Sequence, residues 1–300
     1  MSFIPAPPKH PVLSVHQDKH VISLSGEDVR DFLNDILTAQ INTLASDTAR
    51  AACLLSPQGR ILFDMMVIAT ADTVYLVTEA EQATPLAKRL TMYRLRRKIE
   101  IIVRPDLLVG HIWGEDHADL SLPDSCISAH DERHKDLGNL VLFSKTDGLP
   151  NQAKETYWQA MRISLGVPEG AADLTPNRTL MLEAGLHLLG AIDFEKGCYV
   201  GQEVTARTHY RGLVKRRLFP VSASGKLKSG QALQRGDTTI GQTGSTACLP
   251  DAGDIALASL RLDAVKDGLA GTTELTTDNG QIISLHIPDW MHPLPSFDKG

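Results

Sequence analysis

Cysteines and long apolar runs are scarce in this chain of 300 residues. Its four cysteines are widely spaced and include no CxxC pair, which excludes a disulfide framework and predicts reduced thiols. No run of about 18 apolar residues occurs, so no transmembrane helix is expected. Several prolines interrupt the first eleven residues, where a signal peptide needs an apolar helix. These absences predict a cytoplasmic location of bacterial type, without a signal or transit peptide.

Positive charge is also in deficit, because the formal net charge is −6. This balance argues against nucleic acid and membrane surfaces as direct partners. The sequence has no GxxxxGK[ST], GxGxxG or GxSxG motif, which argues against a nucleotide-binding glycine loop and an α/β-hydrolase site. The hydrophobic share of 42% is enough for a sizeable core, and a charged share of 22% excludes a wholly disordered chain.

The first two-thirds of the chain alternate predicted strands with amphipathic helices. Ser25 is a candidate N-cap for a helix whose apolar stripe begins with Val29, Phe32 and Leu33. Further helices are expected over 81–97 and 156–165. Strands are predicted at 21–24, 51–55, 61–68, 74–78, 99–103, 107–112 and 140–144, with turns at 56–59 and 147–150.

The pattern of apolar residues changes after residue 214, where helical periodicity disappears. Short β-rich segments separated by turns are predicted at 217–221, 239–245, 255–262 and 282–287. The Asn279-Gly280 pair predicts a hairpin. This pattern is typical of a small barrel or sandwich, with a domain boundary near residue 215.

Three polar segments have plain structural interpretations. The two histidines of the segment 130–134 have a spacing that could bind zinc, but Glu132 is misplaced for a known motif, so a solvated loop is expected. The basic run Arg94–Lys98 suits the exposed end of a helix, or a patch for an anionic ligand tail. The cluster from Arg211 to Arg217 could contact nucleic acid, although the acidic balance argues against it.

The segment from Lys196 to Glu203 is different, because two glycines flank a cysteine in a strongly polar context. Gly197 and Gly201 permit tight turns or close approach to a ligand. Cys198 precedes a predicted helix at Gln202 and follows a lysine, so its thiol is either reactive or a small packing group.

Asp64 lies in the strand after the turn at 56–59. Its carboxylate could hold the ring nitrogens of a ligand by paired hydrogen bonds, or it could be an exposed strand charge. Strand alternation puts Ile61, Phe63 and Met65 on the opposite face, which is the better candidate for the core.

The segment from Lys196 to Glu203 resembles the K-G-C-Y-x-G-Q-E signature of the YgfZ family. These are folate-binding proteins linked to iron–sulfur cluster assembly and repair, within the glycine-cleavage T-protein (aminomethyltransferase) superfamily. Other stretches agree with the family along most of the chain: residues 37–42, 55–64, 93–99, 162–168, 206–212 and 288–291.

The resemblance implies an α+β fold: a T-protein-like ring of folate-binding modules followed by a C-terminal β-barrel. It implies a body of two subdomains over 1–215 and a barrel over 216–300. Tetrahydrofolate or a one-carbon derivative is the implied cofactor, with no stably bound metal, and iron–sulfur assembly or client proteins are the implied partners. Cys198 is the implied functional thiol. The residues implied to bind the cofactor are Asp64, Arg60, Lys196, Gly197, Tyr199, Gly201, Gln202, Glu203 and Arg207.

Two other functions compete with support of iron–sulfur assembly. One is a folate-dependent aminomethyltransferase, although Phe63 stands where that enzyme usually has a second aspartate and its C-terminal motifs are missing. The other is a tRNA-binding module, which is distinct from an indirect effect on tRNA modification through an iron–sulfur enzyme. Whether the chain is an enzyme stays open at this point.

Overall fold

The computed structural model describes residues 5–117, 120–144, 152–212, 214–249, 253–269 and 274–294. Within these ranges, nine strands form one mixed sheet in the order β1-β7-β9-β8-β3-β4-β5-β2-β6. The strands are β1 (Val12–His16), β2 (Lys19–Ser25), β3 (Thr48–Leu55), β4 (Ile61–Ala69), β5 (Thr73–Glu79), β6 (Glu100–Arg104), β7 (Leu107–Trp113), β8 (Ile127–Asp131) and β9 (Asn139–Ser144). The turn expected at 147–150 lies outside the described residues.

Two helices cover one face of this sheet: α1 (Val29–Ile36) and α2 (Ala80–Tyr93). The apolar stripe expected in α1 is confirmed, because Val29, Phe32 and Leu33 are all buried. The helix expected to reach residue 97 ends at Tyr93, and Leu95 then takes a positive φ of 53° that breaks the helical path.

The opposite face packs on α3 (Glu155–Ser164) and on the chain that follows it. Trp158 is the largest fully buried side chain among the described residues of this second core. Asp64 lies on this face with Met66 and Ile68, and Ile61 packs into the same core, whereas Phe63 and Met65 pack into the core with α1 and α2. The face expected to be the better candidate for the core is therefore one of two buried faces. Both faces are covered, because helices and loops pack on each side of the sheet.

A closed barrel follows, in the order β10-β13-β12-β11-β14-β15 among the described residues. Its strands are β10 (Arg216–Ala223), β11 (Ala232–Arg235), β12 (Thr238–Leu249), β13 (Gly253–Arg261), β14 (Leu275–Thr277) and β15 (Ile282–Leu285). The hairpin at Asn279-Gly280 is confirmed, since β14 pairs with β15 around Gly280 at φ 82°. The expected loss of helices is wrong, because α6 (Leu262–Leu269) packs Ala264 and Val265 into the barrel core.

The segment 130–134 is not a solvated loop. It begins at the end of β8, which pairs with β9 and, in parallel, with β3. Asp131 and Arg133 are buried, whereas their neighbours His130 and Glu132 are exposed. Asp131 at the end of β8 and Arg133 in the turn after it are therefore buried as two charged groups of opposite sign, which neutralise each other through a hydrogen bond of 2.7 Å.

Candidate functional site

A pocket lies between the sheet and the chain that follows α3. It contains a cavity of about 30 Å³, which is room for about two water molecules. Its apolar wall includes Met65, Met66 and Leu174, and its polar wall consists of His16, Lys19, Cys53, Asp64, Thr78, His111, Arg133 and Glu169. Among the nine residues expected to bind the cofactor, Asp64 is the one that lines this pocket.

Asp64 presents a carboxylate that is only partly engaged. Its Oδ2 accepts a hydrogen bond of 3.0 Å from the backbone N–H of Gly170, in α4 (Gly170–Asp173). Its Oδ1 accepts no hydrogen bond from any other residue that the structure describes. Burial raises the pKa of Asp64, and the nearby Lys19 ammonium opposes this only in part.

A buried ionic network, which no sequence pattern predicts, completes the polar wall. Lys19 Nζ lies 2.9 Å from Glu169, and Glu169 lies 2.6 Å from Arg133. Arg133 in turn contacts Asp131 at 2.7 Å. Lys19, Glu169 and the Asp131–Arg133 pair come from three distant parts of the chain, so only the tertiary fold brings them together. The cations hold the pKa of Glu169 well below its usual range although burial alone would raise it.

The signature segment packs on the turn at 56–59, next to the pocket. Gly201 has φ 83° and is the N-cap of α5 (Gln202–Arg211), so the helix expected at Gln202 is confirmed. A Cβ at Gly201 would lie 2.6 Å from the carbonyl oxygen of Ser56. A Cβ at Gly59 would lie 3.2 Å from Thr205 Oγ1. The two glycines therefore let the signature and the turn approach closely.

Replacing Gly201 with alanine should destabilise the protein more than the same change at Gly212. Both glycines have positive φ, which costs an alanine about 1–2 kcal/mol. Gly212 has no atom within 4 Å of an added Cβ, whereas Gly201 faces the Ser56 carbonyl. We expect a total loss of about 3 kcal/mol for Gly201→Ala, measured by urea unfolding. Equal losses for the two variants would contradict this packing.

Lys196 binds the backbone at the end of α1. Its buried ammonium donates hydrogen bonds to the backbone carbonyls of Leu37 at 2.6 Å and Ala39 at 2.9 Å, and also to that of Asn34. These carbonyls lie at the end of α1 and just beyond it, where a helix leaves acceptors unsatisfied. Burial lowers the pKa of Lys196 to about 8. With its donors engaged in this way, Lys196 is not among the residues that line the pocket.

Tyr199 is the signature residue that points inward. Its ring is buried, lies 5.3 Å from the Lys196 ammonium, and belongs to the same apolar cluster as the pocket residue Cys53. Its hydroxyl is buried without a hydrogen-bond partner. Burial raises the pKa of Tyr199 to about 12, so the phenol stays protonated. Tyr199 therefore links the signature to the pocket wall.

The other signature residues face outward. Cys198 and Gly197 are exposed, and Glu203 forms an exposed ion pair of 3.0 Å with Arg207 one helical turn away. Gln202 begins α5 and is half-buried. Arg60 is exposed and donates to the carbonyl of Arg178. In this structure these residues form a surface beside the pocket rather than its lining.

The two basic clusters are separate from the pocket. In the first, Arg97 binds Asp35 at 2.6 Å and lies 5.7 Å from the ring of Phe32, on the outer side of α1. In the second, Arg211 and Lys215 are exposed, whereas Arg217 is buried. The expected contact of Arg94–Lys98 with a ligand tail therefore has no counterpart at the pocket.

The described ranges contain no group of three or more histidine, cysteine, aspartate or glutamate side chains that could hold a metal ion. None of their helices combines the length and the apolar character needed to cross a membrane.

Comparisons with known proteins agree with this architecture. Residues 215–293 match the family model of the CAF17 C-terminal beta-barrel domain. The mitochondrial iron–sulfur cluster assembly factor IBA57 of Mus musculus is 30% identical, over 90% of this chain and 82% of its own length. The chain belongs to the IBA57 family. The human IBA57 protein is 29% identical over the same shares of both chains.

The family name favours an assembly factor over an aminomethyltransferase. The aminomethyltransferase T of the Bartonella henselae glycine cleavage system shares the fold, with a TM-score of 0.75 over 95% of this chain and 87% of its own. At 17% identity this likeness shows the fold alone, and it confirms the expected α+β body with a C-terminal barrel. The expected cytoplasmic location is wrong by this comparison, because the IBA57 relatives are named mitochondrial.

Proposed function

We propose that this IBA57 family member binds tetrahydrofolate, or a one-carbon derivative of it, in the pocket at Asp64. In this proposal, folate binding supports the assembly or repair of iron–sulfur proteins, as in the YgfZ family, and Cys198 is the functional thiol. The relatives' names supply the iron–sulfur connection. The side chains of the pocket supply the chemical argument for folate.

The observation that carries the folate proposal is the unpaired Oδ1 of Asp64. A pterin ring presents neighbouring N–H donors along one edge, and a carboxylate accepts such a pair of hydrogen bonds. The pocket cations Lys19 and Arg133 already have carboxylate partners in Glu169 and Asp131. Asp64 is therefore the acidic group that is left for a ligand. The buried hydroxyl of Tyr199, which lacks a partner, lies in the same core cluster.

The cavity must widen to hold a pterin ring. Its present volume of about 30 Å³ is suited to water. Met66 lines it on the same face of the sheet as Asp64, and an unbranched methionine side chain rearranges readily. Rearrangement of Met66 gives room next to Asp64 without a change in the sheet.

Cys198 would act on the protein surface, beside the pocket. A single thiolate does not hold a cluster, because clusters usually have four protein ligands. An exposed thiol can share a cluster transiently with a partner protein, or exchange with a partner's thiol. Iron–sulfur assembly or client proteins are therefore the proposed partners, and the cluster is their cargo.

A tetrahydrofolate titration tests the folate half of the proposal. Trp158 stacks on the pocket residue His111 with ring centroids 4.1 Å apart, so its fluorescence should report a ligand in the pocket. We expect a saturable change with tetrahydrofolate and none with p-aminobenzoyl-glutamate, which lacks the pterin. No saturable binding, measured also by calorimetry, would contradict the proposal.

A further inference from the structure

Two buried histidines form one wall of the pocket. His16 ends β1, and His111 lies in the neighbouring strand β7, with which β1 pairs. Both rings are almost fully buried against Trp158, at centroid distances of 4.6 and 4.1 Å. His16 Nε2 lies 2.8 Å from His111 Nδ1, so the two rings share a hydrogen bond.

A carboxylate terminates this pair at each end. Glu155 Oε1 lies 3.2 Å from His16 Nδ1, and Asp131 Oδ2 lies 3.1 Å from His111 Nε2. The hydrogen bond donated by His16 lowers the pKa of Glu155. Arg133 and His111 hold the pKa of Asp131 well below its usual range, although burial alone would raise it. Both ends are therefore ionised and can only accept hydrogen bonds.

The number of protons along this line of three hydrogen bonds determines how many protons the two rings must carry. Each of its three contacts needs one hydrogen, and both carboxylates contribute none. Two neutral imidazoles carry only two ring protons between them. All three contacts are hydrogen bonds at the same time only when the two rings carry a third ring proton between them.

Charge balance points the same way. Lys19 and Arg133 neutralise Glu169 and Asp131, whereas Glu155 has a cationic partner only if His16 is protonated. Burial lowers the pKa of His111 to about 4, so His111 is the neutral ring that accepts in the contact between the two rings. The titratable and charged groups that surround the pair are Glu155, Asp131, Arg133, Glu169, Lys19, Asp64 and Cys53.

We propose that His16 and His111 form an acid–base site of the pocket, which holds one exchangeable proton in addition to those of two neutral rings. Glu155, with 30% of its side chain exposed, connects this site to solvent. The proton passes from water to Glu155 and then to His16, and no electron is transferred. Both rings line the cavity and all four ring nitrogens are engaged along this line, so the held proton sets the charge that this wall presents to a bound ligand. A role toward folate would rest on the proposed function, but the proton count does not.

Nitrogen-15 NMR of the histidine rings in the full chain, without ligand, tests this site. Near neutral pH we expect one doubly protonated ring and one singly protonated ring in the pair, which titrate together. His111→Phe keeps a ring on Trp158 but removes the acceptor of His16. In that variant the remaining ring of the pair should carry one ring proton at a neutral pH at which the wild-type pair carries three. His10→Gln, at an exposed histidine, should leave the pair unchanged.

Two singly protonated rings near neutral pH in the wild-type protein would overturn the inference. The wild-type spectrum decides this point even if His111→Phe does not fold. If tetrahydrofolate fails to bind, the proposed function fails while the proton count can still hold. If tetrahydrofolate binds and the rings are both neutral, only the acid–base site is refuted.

Discussion

Replacing Cys198 with serine should reduce the activity of client iron–sulfur enzymes to the level seen in cells that lack this chain. The structure gives the physical reason. Cys198 is exposed, so the loss of its sulfur removes no core packing. Serine is close to cysteine in size but is a poor cluster ligand and cannot form a disulfide. The free energy of unfolding should therefore stay within about 0.5 kcal/mol of the wild-type value.

The matched control for this experiment is Cys248→Ser, at another exposed cysteine on the barrel strand β12. It should support normal enzyme activity at equal protein levels. Full activity with Cys198→Ser, measured on two different iron–sulfur enzymes, would refute the thiol role. Loss of activity with both variants would indicate a general effect of cysteine replacement rather than a role for the signature.

Replacing Asp64 with asparagine should weaken tetrahydrofolate binding by about 10- to 100-fold. A hydrogen bond to a charged group contributes about 1.5–3 kcal/mol, and asparagine keeps the shape but removes the charge. The amide also presents a donor toward the N–H groups of the pterin if its orientation is wrong. Calorimetric titration of both proteins measures this difference, with Asp72→Asn on the exposed turn before β5 as the control. Equal affinities of the wild-type and Asp64→Asn proteins would remove Asp64 from the site.

The pH dependence adds a second, independent signature of Asp64. Burial raises its pKa above the ordinary value of 3.8, so the carboxylate is protonated at a higher pH than in the unfolded chain. Wild-type affinity should fall as the pH falls through that raised value, whereas the affinity of Asp64→Asn should lack this step. A raised folded-state pKa also means that the ionised group opposes folding above it. Asp64→Asn should accordingly be at least as stable as the wild type at neutral pH, although it binds less.

The local patterns were good guides to the elements and to the signature. The apolar stripe of α1, the hairpin at Asn279-Gly280 and the start of α5 at Gln202 all follow from nearest neighbours in sequence. The two glycines, Gly59 and Gly201, could be predicted to permit turns. That they meet each other could not, because this contact depends on the tertiary fold.

The polar wall of the pocket was beyond sequence reasoning for a similar reason. His16, His111 and Glu169 are scattered singly along the chain, and each looks ordinary by itself. The polarity of their segment favours a solvated loop for Asp131 and Arg133, but the end of β8 and the turn after it place both side chains inward, where they neutralise each other. Lys196 was read as a ligand group because of its motif, although its donors complete the end of α1.

The central claim is that tetrahydrofolate binding in the Asp64 pocket is required for the support of iron–sulfur assembly. Its most direct test is client-enzyme activity in cells in which Asp64→Asn replaces the wild-type chain at equal protein level. We predict that activity falls together with tetrahydrofolate affinity, while the protein remains folded. Full client-enzyme activity in cells, combined with a measured loss of tetrahydrofolate binding, would contradict the claim.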